Sequence, residues 1–302
     1  METGDDSLSG PILNVVRMLT SEVSPFCGAS EVMFYGILPL MNHTTISNSR
    51  GIVHYWVEGN SDKTIIFTHG ANMDHGMFHQ QTGHFAKNYK VISWDVPAHG
   101  LSRPYKDFFL QHAADDLIQI LDEEHTDQAH LVGQSMGGFI SQIAALKYPD
   151  RVRSLTSVDS SPIQLSYYTK IDRWLLAINP ALVLFYPYKY LIKTIAAGSG
   201  LDQAVQSYAL EVLKTLTTSE IAFIMGRVYK GLLPYKQDHR LSCPLLIVYG
   251  EKDMVRKMKE YGEHWAKREN RELKVISSAG HNANQDNPVE FNQALESFLI
   301  QL

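Results

Sequence analysis

Three side chains that could jointly make a nucleophile sit where the chain must turn: Ser135 in "VGQSMGGF", Asp253 closing "LLIVYGEKD", and His281 in "LKVISSAGHNANQDNP". A serine hydroxyl is a weak nucleophile at neutral pH. It needs a base within hydrogen-bond reach, and that base needs a third group to orient it. Ser135 stands between Gly133 and Gly137 directly behind the apolar run "AHLVG", and the helical pattern "FISQIAALKYPD" follows at once. This is the G-x-S-x-G arrangement, in which small residues on both sides leave room for a sharp strand-to-helix turn. Such a turn exposes the hydroxyl and leaves the amide of Met136 at a helix N-terminus, where partial positive charge favours an anion.

A fourth element is a pair of donors for the oxyanion of a tetrahedral intermediate. "FTHGAN" ends the run of residues 64–68 in a His-Gly turn, so the amide of Ala71 is expected to join that of Met136. Asn72 and Met73 follow directly and are expected to line the acyl pocket. Asp159 in "SVDSSP" also closes a strand-like run, and is held as an alternative acid for His281 or a polar pocket group.

These residues need a scaffold that aligns strand ends. "GIVHYWVEG", "TIIFTHG", "KVISWDVPAHG", "AHLVGQS", "SLTSVDS", "LLIVYGEKD" and "LKVISSAGH" are short β-type runs, most ending in Gly, Asp or Ser. Helical patterns separate them, which predicts an α/β protein with a mainly parallel central sheet covered by helices on both faces. Ligands collect at the carboxyl ends of such strands.

The rhythm breaks between "SSP" at 160–162 and "LSCP" at 241–244, where helical stretches such as "YYTKIDRWLLAIN", "LDQAVQSYALEVLKTL" and "SEIAFIMGRVYKGLL" replace strands. We read residues 162–240 as a helical cap inserted after the sixth strand, with 43–161 and 241–302 as the core. Residues 1–42, with "ILNVVRML" and "EVMFYGILPLM", are expected to form a helical N-terminal extension packed on body or cap.

Composition excludes other classes. A net charge of -5 without a run of Lys or Arg lacks the basic footprint that a phosphate backbone demands, so no nucleic acid is expected. The opening "METGDDSLSG" is acidic where a secretory signal would be basic, and no apolar run approaches the roughly 20 residues that cross a bilayer. The expectation is a soluble cytoplasmic protein with no membrane span. Cys27 and Cys243 have no metal-type or redox-type spacing. His75 and His79 are four apart, with His84 nearby, but only Asp74 could join them, so surface histidines are the expected reading and no metal is implied.

Together "HGAN", "DVPAHGLS", "GQSMGG", "YGEKD" and "AGHNANQDNP" resemble the α/β-hydrolase fold superfamily. The resemblance spans roughly residues 43–302 and is closest to its capped branch of small-ester hydrolases, enol-lactonases and carbon-carbon bond hydrolases. It implies a Ser135, Asp253, His281 triad in the chain order of that fold, no cofactor, and a small-molecule substrate. It makes His69, Asp95 and His99 scaffold residues tying active-site loops together. Relatives with an Asp nucleophile at the elbow are excluded by Ser135. The expected activity is cleavage of a carboxylic ester or lactone of a small to medium apolar substrate through an acyl-enzyme. A carbon-carbon hydrolase or acyltransferase with the same triad, and a slowly turning small-ligand receptor, remain alternatives. The oligomeric state is left open.

Overall fold

The computed structural model describes residues 42–255 and 257–302. The helical extension expected over residues 1–42 lies outside them, apart from Asn42, and so does Cys27.

Eight strands form one sheet in the order β1-β2-β4-β3-β5-β6-β7-β8. They are β1 (Asn42–Asn48), β2 (Gly51–Glu58), β3 (Thr64–Thr68), β4 (Lys90–Trp94), β5 (Ala129–Gln134), β6 (Val152–Val158), β7 (Leu245–Gly250) and β8 (Glu272–Ile276). β1 and β2 run antiparallel to their neighbours, and every pairing from β4 through β8 is parallel. The mainly parallel sheet is therefore as expected. The central strands β3, β5 and β7 are buried along their whole length, as strands covered on both faces must be. β1 is a strand that no apolar run announced. Its "NHTTISN" buries only Ile46, because an edge strand joined by a hairpin to β2 takes its stability from the ladder and needs little hydrophobic patterning.

Helices α1 (His79–Phe85), α2 (Leu110–Glu123), α3 (Met136–Lys147), α8 (Met258–Glu269) and α10 (Pro288–Leu299), with the short α9 (Ala283–Asp286), accompany the sheet. Between β6 and β7 the described chain holds helices and no strand: α4 (Lys170–Val183), α5 (Tyr188–Ser199), α6 (Gln203–Lys214) and α7 (Thr218–Leu232). Capping boxes start two of them. Thr169 and Asp172 bond each other's backbone at the head of α4, and Thr217 and Glu220 do the same for α7, satisfying amides that have no intrahelical acceptor. The box at Thr169 starts the helix later than the pattern in "YYTKIDRWLLAIN" suggests. Tyr167 and Tyr168 are instead buried in a 3-10 turn.

Strand order sets where the site must lie. β3 is inserted between β4 and β5, so the chain leaves β3 in one direction, returns across it, and builds the rest of the sheet on the other side. That reversal makes the carboxyl ends of β3 and β5 a topological switch point, where the two outgoing loops part and open a crevice.

Candidate active site

β5 and β3 are in register at Thr68 and Gly133, so the turns that follow them stand side by side. A Cβ placed on Gly70 would lie 3.4 Å from Ser135 Cβ. Ser135 has φ 50° and ψ -112°, a conformation that costs a non-glycine residue on the order of 1–3 kcal/mol and persists only where its surroundings enforce it. Here they do. Ser135 N–H donates to Val158 O at 2.9 Å, and Ser160 Oγ–H donates to Ser135 O at 2.7 Å. The turn can be this tight because of its glycines. A Cβ on Gly133 would meet Gly137 O at 2.3 Å, and one on Gly137 would meet Thr68 O at 2.0 Å. Ser135 remains partly exposed while its flanking residues are buried.

Met136 opens α3, where an amide has no intrahelical acceptor. Across the crevice, Met73 N–H donates to Gly70 O at 3.3 Å, closing a turn with Ala71 and Asn72 at its corner. Asn72 has φ 62°, a left-handed value that Asn tolerates better than most residues. Asn72 and Met73 are buried and Ala71 is half-buried; Asn72 Oδ1 has no hydrogen-bond partner among the described residues.

The Ala71 turn is braced from below by His69. Its Nδ1–H donates to Gly70 O at 2.7 Å, while its Nε2 accepts from Val96 N–H at 3.0 Å. Both ring nitrogens are thus used by the neutral ring, and burial lowers the imidazole's pKa. Asp95, at the end of β4, receives His75 N–H and His75 Nδ1–H on one oxygen and Leu101 N–H on the other. Burial would raise its pKa, yet the hydrogen bond and charge of His75 hold it below the ordinary carboxylate value. His99 donates from Nδ1 to Pro97 O, and its full burial pushes its pKa down to about 3.

His281 lies in the loop after β8, and its Nδ1 is 3.0 Å from Asp253 Oδ2, whose side chain is wholly buried. The other oxygen of Asp253 accepts from Val255 N–H at 2.7 Å. α8 begins at Met258 and carries no side-chain cap, so Asp253 is not a helix cap. Gln134, the residue before Ser135, donates from Nε2 to His281 O at 2.8 Å and ties the histidine loop to the serine turn. No sequence signal marks Gln134, because the motif allows any residue there.

Asp159 makes no hydrogen bond to His281. It is fully buried with φ 45°, and its two oxygens accept from Gly250 N–H at 2.7 Å and Ala283 N–H at 3.0 Å. It thereby joins the end of β7 to the histidine loop. Burial, then the neighbouring Asp253, pushes its carboxyl well above the usual carboxylate range.

The helices between β6 and β7 approach the same end of the sheet. Asn282 N–H donates to Ser199 O at 2.7 Å at the end of α5, and Asp286 accepts from Leu201 and Asp202 N–H. On the other side of the crevice, Tyr208 of α6 donates its hydroxyl to Asp74 Oδ1 at 2.7 Å. Tyr208 carried no sequence signal, and Asp74 was weighed only as a partner for the three histidines.

The three histidines weighed for a metal diverge. His75 pairs with Asp95 and stacks on Trp56, His79 Nδ1 bonds Gly76 O, and His84 Nε2 pairs with Glu296. Among the described residues no three His, Cys, Asp or Glu side chains form a metal-holding group. No described helix is long and apolar enough to cross a membrane.

A family model described as alpha/beta hydrolase fold matches residues 63–288. The chain is 28% identical to serine hydrolase BPHL of Mus musculus over 227 residues, covering 70% of each protein. It is 31% identical to 3-oxoadipate enol-lactonase 1 of Acinetobacter baylyi over 97 residues, which is 32% of this chain and only 36% of that relative. Among solved structures, a thermophilic esterase from Thermogutta terrifontis superposes with a TM-score of 0.70 at 19% identity, over 87% of this chain and 99% of that one. At that identity the likeness concerns the fold.

Proposed function

The chain belongs to the alpha/beta hydrolase fold family, and from that premise we propose that it is a serine hydrolase cleaving a carboxylic ester or lactone of a small to medium apolar substrate. The observation that carries the reading is the 3.0 Å pairing of His281 Nδ1 with the buried Asp253 carboxylate, in a loop tied to the Ser135 turn through Gln134. The relatives, a serine hydrolase and an enol-lactonase by name, agree with this class.

In the proposed mechanism Ser135 Oγ attacks the carbonyl carbon as its proton passes to His281 Nε2. Asp253 accepts the Nδ1–H bond, fixes the tautomer, and stabilises the imidazolium. The amides of Ala71 and Met136 receive the oxyanion; losing one such donor typically costs about 2.7–4 kcal/mol of transition-state stabilisation. His281 returns the proton to the leaving alkoxide, then draws a proton from water as that water attacks the acyl-enzyme. Hydrolysis releases the acid and regenerates Ser135. A neutral, braced His69 holds the Ala71 turn in place through these steps, and the helices of residues 162–240 act as a cap that limits water and shapes an apolar pocket. The reaction as drawn uses only groups of the protein and a water molecule.

The test is steady-state hydrolysis of p-nitrophenyl esters from acetate to dodecanoate, together with simple lactones, by wild type and Ser135→Ala. Sustained turnover abolished by the substitution is the expected result. Turnover unchanged by it, or a single burst with no steady state, would overturn the reading.

A further inference from the structure

The stretch from the start of α4 to the start of α5 presents apolar side chains that nothing in the described chain covers. Seven of the seventeen large apolar side chains that are exposed among the described residues fall within residues 171–190. Their spacing is not scattered. Ile171, Trp174 and Leu182, with the half-buried Ile178 between them, follow helical steps of three and four along α4 and so share one stripe, and Phe185 follows just past its end. Trp174 is 58% exposed and Phe185 86%. The opposite side of α4 is occupied, since Leu176 and Val183 pack on the core and the helix lies against α7. Large contiguous apolar surface of this kind marks a binding face.

Charge identifies the partner. Lys170, Arg173, Lys189 and Lys193 belong to the same stretch of chain and are exposed. The one acid in 170–193 is Asp172, whose side chain is buried and lies 3.8 Å from Lys257 Nζ. Residues 170–193 are therefore cationic in a chain of net charge -5. Tyr188 and Tyr190 are exposed at the start of α5 and alternate with Lys189 in the chain, and amphipathic aromatic rings favour the boundary between hydrocarbon and headgroup. A second copy would bring to the contact the same four exposed cations and no exposed acid from this segment to pair them. An anionic lipid surface instead takes the aromatic and aliphatic side chains into its interface and the four cations among its headgroups.

We propose that the exposed segment of α4 and the start of α5 is a peripheral docking surface for anionic lipid bilayers. The end of α5 reaches the histidine loop, where Ser199 O accepts from Asn282 N–H. A docked molecule thus holds the helices that border the candidate site against the lipid, which favours substrates that partition into membranes. The docking itself is independent of the catalytic reading, because it is measured as binding and survives in Ser135→Ala.

The experiment is co-sedimentation of the full chain, as Ser135→Ala, with vesicles of phosphatidylcholine alone or of phosphatidylcholine and phosphatidylserine at about seven to three. Two surface variants accompany it: Trp174→Ser with Phe185→Ser, and a charge reversal of Lys170, Arg173, Lys189 and Lys193 to Glu. Circular dichroism and melting confirm that both remain folded. The expected result is partitioning at least about tenfold stronger onto the anionic vesicles, weakened by added salt, with a loss of about tenfold or more in each variant. Absence of binding to anionic vesicles overturns the proposal. So does binding that both variants retain, which would place the contact elsewhere. Sedimentation velocity showing a wild-type dimer that Trp174→Ser with Phe185→Ser dissociates, without vesicle binding, would assign the face to self-association instead.

Discussion

His281 Nδ1 and Asp253 Oδ2 are 3.0 Å apart, and the carboxylate they involve is sealed from solvent, with its other oxygen held by Val255 N–H. Asp159, a second carboxyl at a neighbouring strand end, spends both oxygens on the amides of Gly250 and Ala283. The two acids therefore have separable duties. One faces the imidazole, and the other joins the loops that carry it.

Asp253→Asn is expected to lower kcat by on the order of 10³–10⁴-fold with little change in KM, because the amide leaves the imidazole in the wrong tautomer. Asp159→Asn is expected to act mainly on stability, by about 1–3 kcal/mol through weakened bonds to two buried amides, and on kcat by less than Asp253→Asn. Steady-state kinetics and urea melts of both variants check this. Equal losses of kcat would assign Asp159 to the histidine instead.

Gly137→Ala is expected to prevent proper folding of the Ser135 turn, because the added carbon would sit 2.0 Å from the Thr68 carbonyl oxygen, and backbone cannot yield as a flexible side chain does. Gly198→Ala, within α5 and with nothing within 4 Å of its Cβ position, is expected to stabilise by about 0.5–1 kcal/mol. Soluble yield and thermal melts distinguish the two. A well-folded, active Gly137→Ala would mean that the turn is looser than the structure has it.

Acid should destabilise the fold through buried neutral histidines. His99 is held at about 3, against 6.5 when unfolded, and its Nε2 has no hydrogen-bond partner among the described residues; His130 is held at about 4. With the folded value depressed, the unfolded chain binds the extra protons. Stability is full above about pH 6.5 and is lost as pH falls toward the folded values. Asp159, raised by burial, has the opposite sign and loses stability as pH rises through its folded value. His99→Asn keeps a donor for Pro97 O and removes the titration, so its melting temperature is expected to fall less than that of wild type between pH 7 and pH 4.5. Parallel curves would refute the assignment.

Tyr208→Phe removes the bond to Asp74 and little else. A hydrogen bond to a charged partner contributes about 1.5–3 kcal/mol, so unfolding free energy is expected to drop within that range. Activity on esters should fall as well, because the bond pins α6 to the turn that follows Ala71. Unfolding in urea and kcat/KM on one ester series read the two effects, and an unchanged stability would show that the contact carries no net energy.

The strand runs and the residues at their ends were legible from the sequence alone. Ser135, Asp253 and His281 each follow a short apolar run that stops at small or polar residues, so local composition is enough to mark them, and parallel pairing follows from the helical spacers. What lay beyond sequence was decided by strand order and long-range contact. The insertion of β3 between β4 and β5 sets Gly70 beside Ser135, although the two turns are far apart in the chain. The pairing of His281 with Asp253 rather than Asp159, and of Tyr208 with Asp74, depends on which loops meet above the sheet. Periodicity reports which face of an element is apolar; it carries no information about which distant polar group that element will meet. The exposed stripe on α4 makes the same point. In sequence it has the pattern of a buried helix face, and only the packed structure shows that no other described residue covers that side.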